Sequence, residues 1–199
     1  PLAHGSAALL VLRLLDLHAL LAAAGLGLVV GSARPYLAAL LWSLFLLLPL
    51  VLFPVKRPLM RALRGIVSGK LARIVGEIDD GLPVDVSAFI RAWLLTILKV
   101  LVLAWVLGLM GVLPVAAMFG GALGGELSSV LPVHAPAGVG TYPAGVTAGA
   151  AAFGAARDAA SLDILAKASI NTHLLVIVSA LLGTGLSLLL PAPSKPQEG

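Results

Sequence analysis

The chain has 199 residues, of which 60 % are hydrophobic and only 11 % are charged, and its mean hydropathy is +1.08. A soluble domain carries roughly twice that charged fraction, so the composition predicts an integral membrane protein. The lack of cysteine excludes disulfides and thiolate metal sites. The net charge of +4 comes without the aromatic and basic stripe of a nucleic-acid-binding protein, so no nucleic-acid partner is expected.

Apolar runs of about 20 residues, long enough to cross a bilayer, recur along the chain. They are continuous rather than alternating, which indicates helices. We count about six spanning or half-spanning helices. The predicted fold class is therefore an all-α integral membrane protein, with one polytopic domain over 1–190 and a disordered tail at 191–199.

The first apolar run, 6–32, is interrupted early by Arg13, Asp16 and His18. Its spanning part is predicted at 17–32. The residues before this part either continue the same helix or are the remnant of a preceding one.

The second predicted span, 35–55, contains Pro49 and Pro54, which predict a kink and a stop because proline lacks a backbone donor. The polar segment 56–85 follows. From Lys56 to Arg73 it has six basic and no acidic residues, with apolar residues three and four apart, which predicts an amphipathic helix. This helix either lies in the membrane interface or is a solvated connector. By the positive-inside rule, both interpretations put this segment on the cytoplasmic side of the membrane.

An acidic patch closes that segment, and it is predicted to be a solvated turn rather than a metal site because no histidine stands near it. It is formed by Glu77, Asp79, Asp80 and Asp85. A third span, 87–113, carries Arg91 near its start, where the side chain can extend to the interface. Lys99 lies a dozen residues in, where a charge is costly, so we expect it to face the bundle interior, a partner or water.

Two short segments rich in small residues come next, at 115–131 and 142–156, before the last predicted span at 164–190. The first contains two overlapping pairs of glycines that permit close helix contact. These pairs are Gly120/Gly124 and Gly121/Gly125.

Between the short segments lies "LPVHAPAGVGTYPAG" (131–145), which can form neither a regular helix nor a strand. We predict a broken, re-entrant stretch where two half-helices meet near mid-bilayer, because non-helical backbone is tolerated there only inside protein or beside a cavity. The alternative is a plain polar loop. A helix is predicted to start near Tyr142, with Thr141 as candidate N-cap and with Gly138 and Gly140 before it. The N-terminus of such a helix is a favourable binding site for a phosphate.

Glu126, in a short apolar segment, is a functional-site candidate unless it reaches water or is neutralised by Lys99. His134 is either a proton relay or a hydrogen-bonded loop histidine. Ser128 and Ser129 lack the His-Asp spacing of a nucleophile, so we expect them to bond to their own helix. With no nucleophile-base set or metal cluster, the chain is not predicted to be an enzyme or to hold a cofactor or metal.

The broken stretch resembles the signature of the lysylphosphatidylglycerol synthase transmembrane region family, flippase-like proteins of the bacterial inner membrane. That signature has Leu-Pro and then Pro-Gly/Ala-Gly-x-Gly at the head of a helix of small residues. The match is carried by Leu131, Pro132 and residues 136–142. Arg13 and Asp16 occupy the places of the family's Arg-x-x-Asp. Where the family usually has Glu, this chain has Pro143.

The resemblance covers nearly the whole chain but only the C-terminal two-thirds of the family, so it implies further spans upstream of Pro1. It implies a multi-pass inner-membrane protein that moves a phospholipid or polyprenyl-linked lipid between leaflets. From the helix count, both termini are expected on the cytoplasmic side if 56–85 is cytoplasmic. The expected substrate-binding residues are Arg13, Lys99, Glu126, His134, Pro136, Gly138, Gly140, Thr141 and Tyr142.

A second hypothesis is a non-transporting membrane subunit that scaffolds an envelope glycosyltransferase or a lipid-modifying enzyme. The glycine-rich faces at 120–125 and 144–152 would then be helix-packing seams, and a homo-oligomer could also form through them. A membrane enzyme acting on lipid and a solute transporter remain further alternatives.

Overall fold

A computed structural model describes residues 2–30, 32–81, 86–130 and 135–189. All regular structure in these residues is helical, as predicted: α1 (Leu2–Val30), α2 (Pro35–Ile66), α3 (Lys70–Gly81), α4 (Val86–Leu109), α5 (Val115–Val130), a 3-10 helix (Pro136–Gly138), α6 (Thr141–Ala152) and α7 (Ala159–Leu189). The predictions made for Asp85, Leu131, Pro132, His134 and the tail 191–199 lie outside the described residues.

Two of the described helices are long and apolar enough to cross a bilayer, Phe89–Leu109 in α4 and Ala159–Leu189 in α7. Their mean hydropathies are 2.2 and 1.9, yet only 28 % and 11 % of these stretches is buried. The core helix of a soluble protein is covered on most sides, whereas these two are not. Two such helices are fewer than the six spanning or half-spanning helices predicted.

Helix α1 is continuous from Leu2 to Val30, so the residues before 17 belong to the same helix as the predicted span. Helix α2 is longer than predicted and runs to Ile66, so the stop expected at Pro54 is wrong. Proline inside a helix frees the carbonyl four residues earlier, which for Pro49 is that of Phe45. The His18 ring of α1 donates to this carbonyl from Nε2, at 3.0 Å, so α1 supplies the hydrogen bond that Pro49 cannot.

The basic segment is divided between two helices rather than forming one. Helix α2 ends at Ile66 and α3 begins at Lys70, with Gly69 between them at a φ of 63°. Glycine adopts this left-handed conformation without a steric penalty, which accounts for the break. Three of the acidic residues expected in a solvated turn, Glu77, Asp79 and Asp80, are instead helical, since α3 extends to Gly81.

Helices α5 and α6 form a hairpin held by a seam of glycines. A Cβ added at Gly145 would lie 2.5 Å from the carbonyl oxygen of Gly124, and one added at Gly120 would lie 2.6 Å from that of Gly149. Only glycine permits such close approach of two helix backbones. The predicted close contact of the Gly120/Gly124 pair is therefore confirmed, and its partner is another face of the same chain.

The hairpin is short, because α5 has 16 residues and α6 has 12, or about 24 and 18 Å of helix. Its tip lies beside the middle of the longer helices, since Glu126 of α5 contacts Lys99 of α4 and Tyr142 of α6 contacts His173 of α7. Both Lys99 and His173 are near the centres of their helices. The predicted half-helices thus meet at mid-length of α4 and α7.

At the base of the hairpin, the carboxylate of Asp158 caps the start of α7. Its Oδ1 accepts a hydrogen bond from the backbone N–H of Ser161 at 3.0 Å, and its Oδ2 accepts one from the Ser161 hydroxyl at 2.7 Å. These bonds stabilise the ionised form and hold the pKa of Asp158 below its usual value. The cap fixes the direction in which α7 leaves the hairpin.

Candidate functional site

A cavity of about 310 Å³ lies at the tip of the hairpin, between α1 and α7. Its polar wall comes from five helices and the loop before α6, whereas the side formed by α7 is mostly apolar. The polar and charged residues that line it are Arg13, Lys99, Glu126, Ser128, Ser129, Thr141, Tyr142 and His173. The apolar residues on the α7 side are Val176, Ile177 and Ala180.

An ion pair between α4 and α5 forms one side of the cavity. The Nζ of Lys99 lies 2.6 Å from Oε2 of Glu126, and the hydroxyl of Tyr142 donates to the other carboxylate oxygen at 3.4 Å. The side chain of Glu126 is 6 % exposed, whereas that of Lys99 is 52 % exposed. Of the three surroundings expected for Lys99, the structure therefore shows a partner, Glu126. Neutralisation by Lys99 was the alternative to a functional role for Glu126, so the ion pair by itself does not support that role.

His173 anchors the hairpin tip to α7. Its ring stacks on Tyr142 with centroids 5.0 Å apart, and its Nε2 lies 2.9 Å from the carbonyl oxygen of Ala137. Because a carbonyl only accepts, Nε2 carries the proton of this bond. Ala137 has a φ of 54° and Gly138 one of 71°, so two successive left-handed residues lead the chain around the tip.

Arg13 reaches the cavity from α1 and is exposed. It makes no hydrogen bond or ion pair with the residues that the structure describes. Asp16, one turn further along α1, accepts a hydrogen bond from the Thr96 hydroxyl at 2.7 Å. Arg13, Lys99 and Glu126 also line an adjoining cavity of about 290 Å³ that extends between α1 and α4 past Asp16 and Thr96.

The start of α6 differs in two details from the phosphate-binding site predicted there. The N-cap is Gly140, at a φ of 82°, so Thr141 is the first helical residue and not the cap. The amide of Gly138 donates to the carbonyl of Ala135 at 2.8 Å, so it cannot serve a ligand. The Thr141 hydroxyl is enclosed and has no hydrogen-bond partner among the described residues. Thr141, rather than Gly138, is the donor at this end of the cavity.

Six of the nine predicted binding residues line the cavity: Arg13, Lys99, Glu126, Gly138, Thr141 and Tyr142. Pro136 and Gly140 are exposed and do not line it. His134 lies outside the described residues. As predicted, the hydroxyls of Ser128 and Ser129 bond to carbonyls of their own helix, each at 2.7 Å.

Sequence reasoning missed His173, because His4, His18 and His173 were weighed only as metal ligands and are too scattered to form a metal site. The position of His173 near the middle of a long apolar helix was the available signal, the same that singled out Lys99. Among the described residues, no three His, Asp or Glu side chains are grouped as metal ligands require. The arrangement presents two cations, one buried carboxylate and several hydroxyls, which suits binding of a polar or anionic group.

Comparison of the chain with protein-family models, with characterised proteins and with solved structures gives no match. The resemblance to the flippase-like family therefore stays a prediction from the sequence.

Proposed function

We propose that this chain is a multi-pass membrane protein that binds the phosphate-bearing headgroup of a lipid and moves the lipid between leaflets. The main support for this proposal is the position of the cavity. Charged and polar side chains converge at mid-length of α4 and α7, the two helices of spanning length. Ionisable groups at that depth in a bilayer are costly and are typical of binding and transport sites.

In this proposal α1, α2, α4 and α7 cross the membrane, and α5 and α6 form a re-entrant hairpin. Large apolar side chains point away from the protein on the four long helices and would face lipid. Among them are Leu14, Leu26, Leu40, Leu44, Leu94, Leu98, Leu174 and Leu181. The six basic residues in 56–73 favour a cytoplasmic position for the connection from α2 to α3. Four crossings then bring the start of α1 and the end of α7 to that same side.

The charge of the cavity favours an anion. Lys99 is balanced by Glu126, which leaves Arg13 as a cation without a partner among the described residues. The N-terminus of α6 adds a positive dipole end on the opposite side, where Thr141 offers its hydroxyl. A phosphodiester fits between these groups. The apolar α7 side of the cavity suits the acyl chains attached to it.

The test is transbilayer movement in reconstituted vesicles. Purified protein in phosphatidylcholine vesicles with a trace of phosphatidylglycerol, fluorescently labelled on its acyl chain, is mixed with an impermeant quencher. We expect the protein to bring inner-leaflet label to the outside faster than in protein-free vesicles. Arg13→Gln should slow this at least about tenfold, the equivalent of one charge-assisted contact. Because Arg13 bonds to no described residue, its loss should leave the fold intact.

Lys167→Gln is the matched control. Lys167 is also a cation on a long helix, but it is exposed and pairs with Asp163 far from the cavity. It should keep the wild-type rate. A folded wild-type protein that moves no more lipid than empty vesicles would contradict the proposal, and so would equal rates for the Arg13 variant and wild type.

The scaffold hypothesis takes the glycine faces at 120–125 and 144–152 as helix-packing seams. These faces pack on each other within the chain, and Gly120 is buried there. No surface feature of the described residues now favours the scaffold over the lipid-binding cavity.

A further inference from the structure

The cavity holds a carboxylate that an anionic ligand would disturb. Glu126 is enclosed, and its close cationic partner is Lys99, whose side chain is 52 % exposed and lines the cavity. An anion that enters therefore meets Lys99 and Arg13 first, and it competes with Glu126 for the ammonium. The ion pair that neutralises Glu126 is the contact that ligand binding weakens.

The ion pair also separates two spaces. Lys99 and Glu126 line both the cavity beside Tyr142 and His173 and the one beside Asp16 and Thr96. Movement of the ammonium toward an anion on one side would leave Glu126 facing a second carboxylate, that of Asp16, across the other. An enclosed carboxylate without its cation is strongly unfavourable, and protonation removes the cost.

From this geometry, and resting on the anion site proposed above, we propose that binding of a phosphodiester anion at Lys99 is coupled to uptake of one proton by Glu126. The proton comes from the buffered bulk solution and converts the carboxylate to a carboxylic acid, so no hydroxide is left in the cavity. Lys99 stays protonated and pairs with the anion. Ligand and proton enter together with no net charge, so lipid movement responds to a pH gradient and not to membrane potential.

Each charged or titratable group that the structure describes around Glu126 fits this scheme. From α6, the Tyr142 hydroxyl already donates to Oε1 and has no charge to offer. From α7, His173 is held by Ala137 through its Nε2 proton. From α1, Asp16 is a carboxylate held by Thr96, and Arg13 lines the cavity where the same anion attracts it. Among the described residues around Glu126, therefore, none replaces Lys99 once an anion has bound.

The experiment measures protons taken up on binding. Wild-type protein in phosphatidylcholine nanodiscs is titrated calorimetrically with dihexanoyl phosphatidylglycerol, in two buffers of different ionisation enthalpy. This probe is a phosphodiester that does not itself titrate near neutral pH. We expect about one proton taken up per anion bound, and affinity that rises as pH falls, by up to about tenfold per pH unit. Infrared difference spectra should show a new protonated carboxyl band on binding.

Glu126→Gln should bind the probe at least as tightly as wild type, with no proton uptake, no new carboxyl band and no dependence on pH. Asp163→Asn, which removes an exposed carboxylate from a lysine pair outside the cavity, should behave as wild type. Dimethyl phosphate, the same anion without acyl chains, serves as a second probe. If dimethyl phosphate also binds with proton uptake, the coupling holds for a free phosphodiester. If only dihexanoyl phosphatidylglycerol binds with proton uptake, the coupling holds for a lipid headgroup.

The two proposals fail in different ways. Wild-type binding without proton uptake would overturn the coupling and leave the anion site standing. A carboxyl band that persists in Glu126→Gln would also overturn it, because the proton would then reside elsewhere. Failure of folded wild-type protein to bind either probe at any pH between about 5 and 8 would overturn both the site and the coupling.

Discussion

His173 and Tyr142 stack their rings 5.0 Å apart, and through this contact the middle of α7 holds the tip of the α5–α6 hairpin. The same imidazole donates to the carbonyl of Ala137, a residue in the left-handed region that costs energy for any residue with a Cβ. One side chain of α7 therefore stabilises both the first turn of α6 and the strained turn before it. The shape of the cavity depends on this contact.

Replacing His173 by Phe should loosen the hairpin tip. Phenylalanine keeps an aromatic ring against Tyr142 but leaves the Ala137 carbonyl without its donor, at a cost of about 1 to 2 kcal/mol. Amide hydrogen exchange over residues 138–142 should become faster, and the protein should unfold at lower denaturant. Thr184→Ala removes a hydroxyl that bonds to its own helix on the exposed part of α7, so it should change neither. Unchanged exchange in the Phe variant would show that the hydrogen bond does not hold the turn.

Ala137 and Gly138 are neighbours, yet adding or removing one methyl group should have opposite effects at the two positions. Ala137→Gly relieves a left-handed alanine and should stabilise the protein or leave it unchanged, within about 1 kcal/mol. Gly138→Ala places a Cβ at a φ of 71° and 3.2 Å from Nε2 of His173, so it should destabilise by about 1 to 2 kcal/mol. Thermal unfolding of the two variants side by side measures the sign of each change in stability. Equal effects would indicate that the turn is not left-handed.

The glycine seam should tolerate no added methyl group. In Gly124→Ala the new Cβ would collide with the backbone carbonyl of Gly145, which cannot move without separating α5 from α6. We expect a loss of about 1 to 3 kcal/mol in the free energy of unfolding, together with a lower rate of lipid movement. Gly183→Ala is the control, because a Cβ there meets nothing within 4 Å and favours the helix. A neutral Gly124 variant would place the seam elsewhere.

The sequence predicted the parts of the site that follow from a local cost. A lysine in the middle of an apolar helix was expected to face the bundle interior, a partner or water, and the structure shows the partner to be Glu126, the carboxylate near the broken stretch. Glycines four residues apart likewise predicted a close helix contact. The glycine spacing could not predict which surface Gly120 and Gly124 contact, because a glycine face fits a second copy of the chain as well as it fits α6.

The errors come from contacts between residues far apart in the sequence. The stop at Pro54 was inferred from the missing donor of proline, yet α2 continues through Pro54 to Ile66. A helix can continue past a proline where another element supplies the missing hydrogen bond. For Pro49 that element is His18, 27 residues away from Phe45. The role of His173 was missed for the same reason, since 36 residues separate it from Ala137. Neither pairing leaves a signal in the local pattern.

The partnership of His18 and Pro49 can be tested by a double-mutant cycle. His18→Phe leaves the Phe45 carbonyl without a donor inside an apolar region, so it should destabilise the protein by about 1 to 2 kcal/mol. In a Pro49→Ala background, the amide of the new alanine can donate to that same carbonyl within α2. The cost of His18→Phe should then fall to that of the lost ring contacts alone. The difference between the two backgrounds, measured by unfolding in mixed micelles, is the coupling energy.

Stacking cannot produce this coupling. His18 also stacks on the Phe45 ring with centroids 4.7 Å apart, but phenylalanine at position 18 keeps an aromatic ring there in both backgrounds. A hydrogen bond that replaces the one lost at proline is the only contact whose value depends on whether position 49 has an N–H. An equal cost in both backgrounds would mean that the Phe45 carbonyl does not need the histidine, and that α2 passes Pro49 without help from α1.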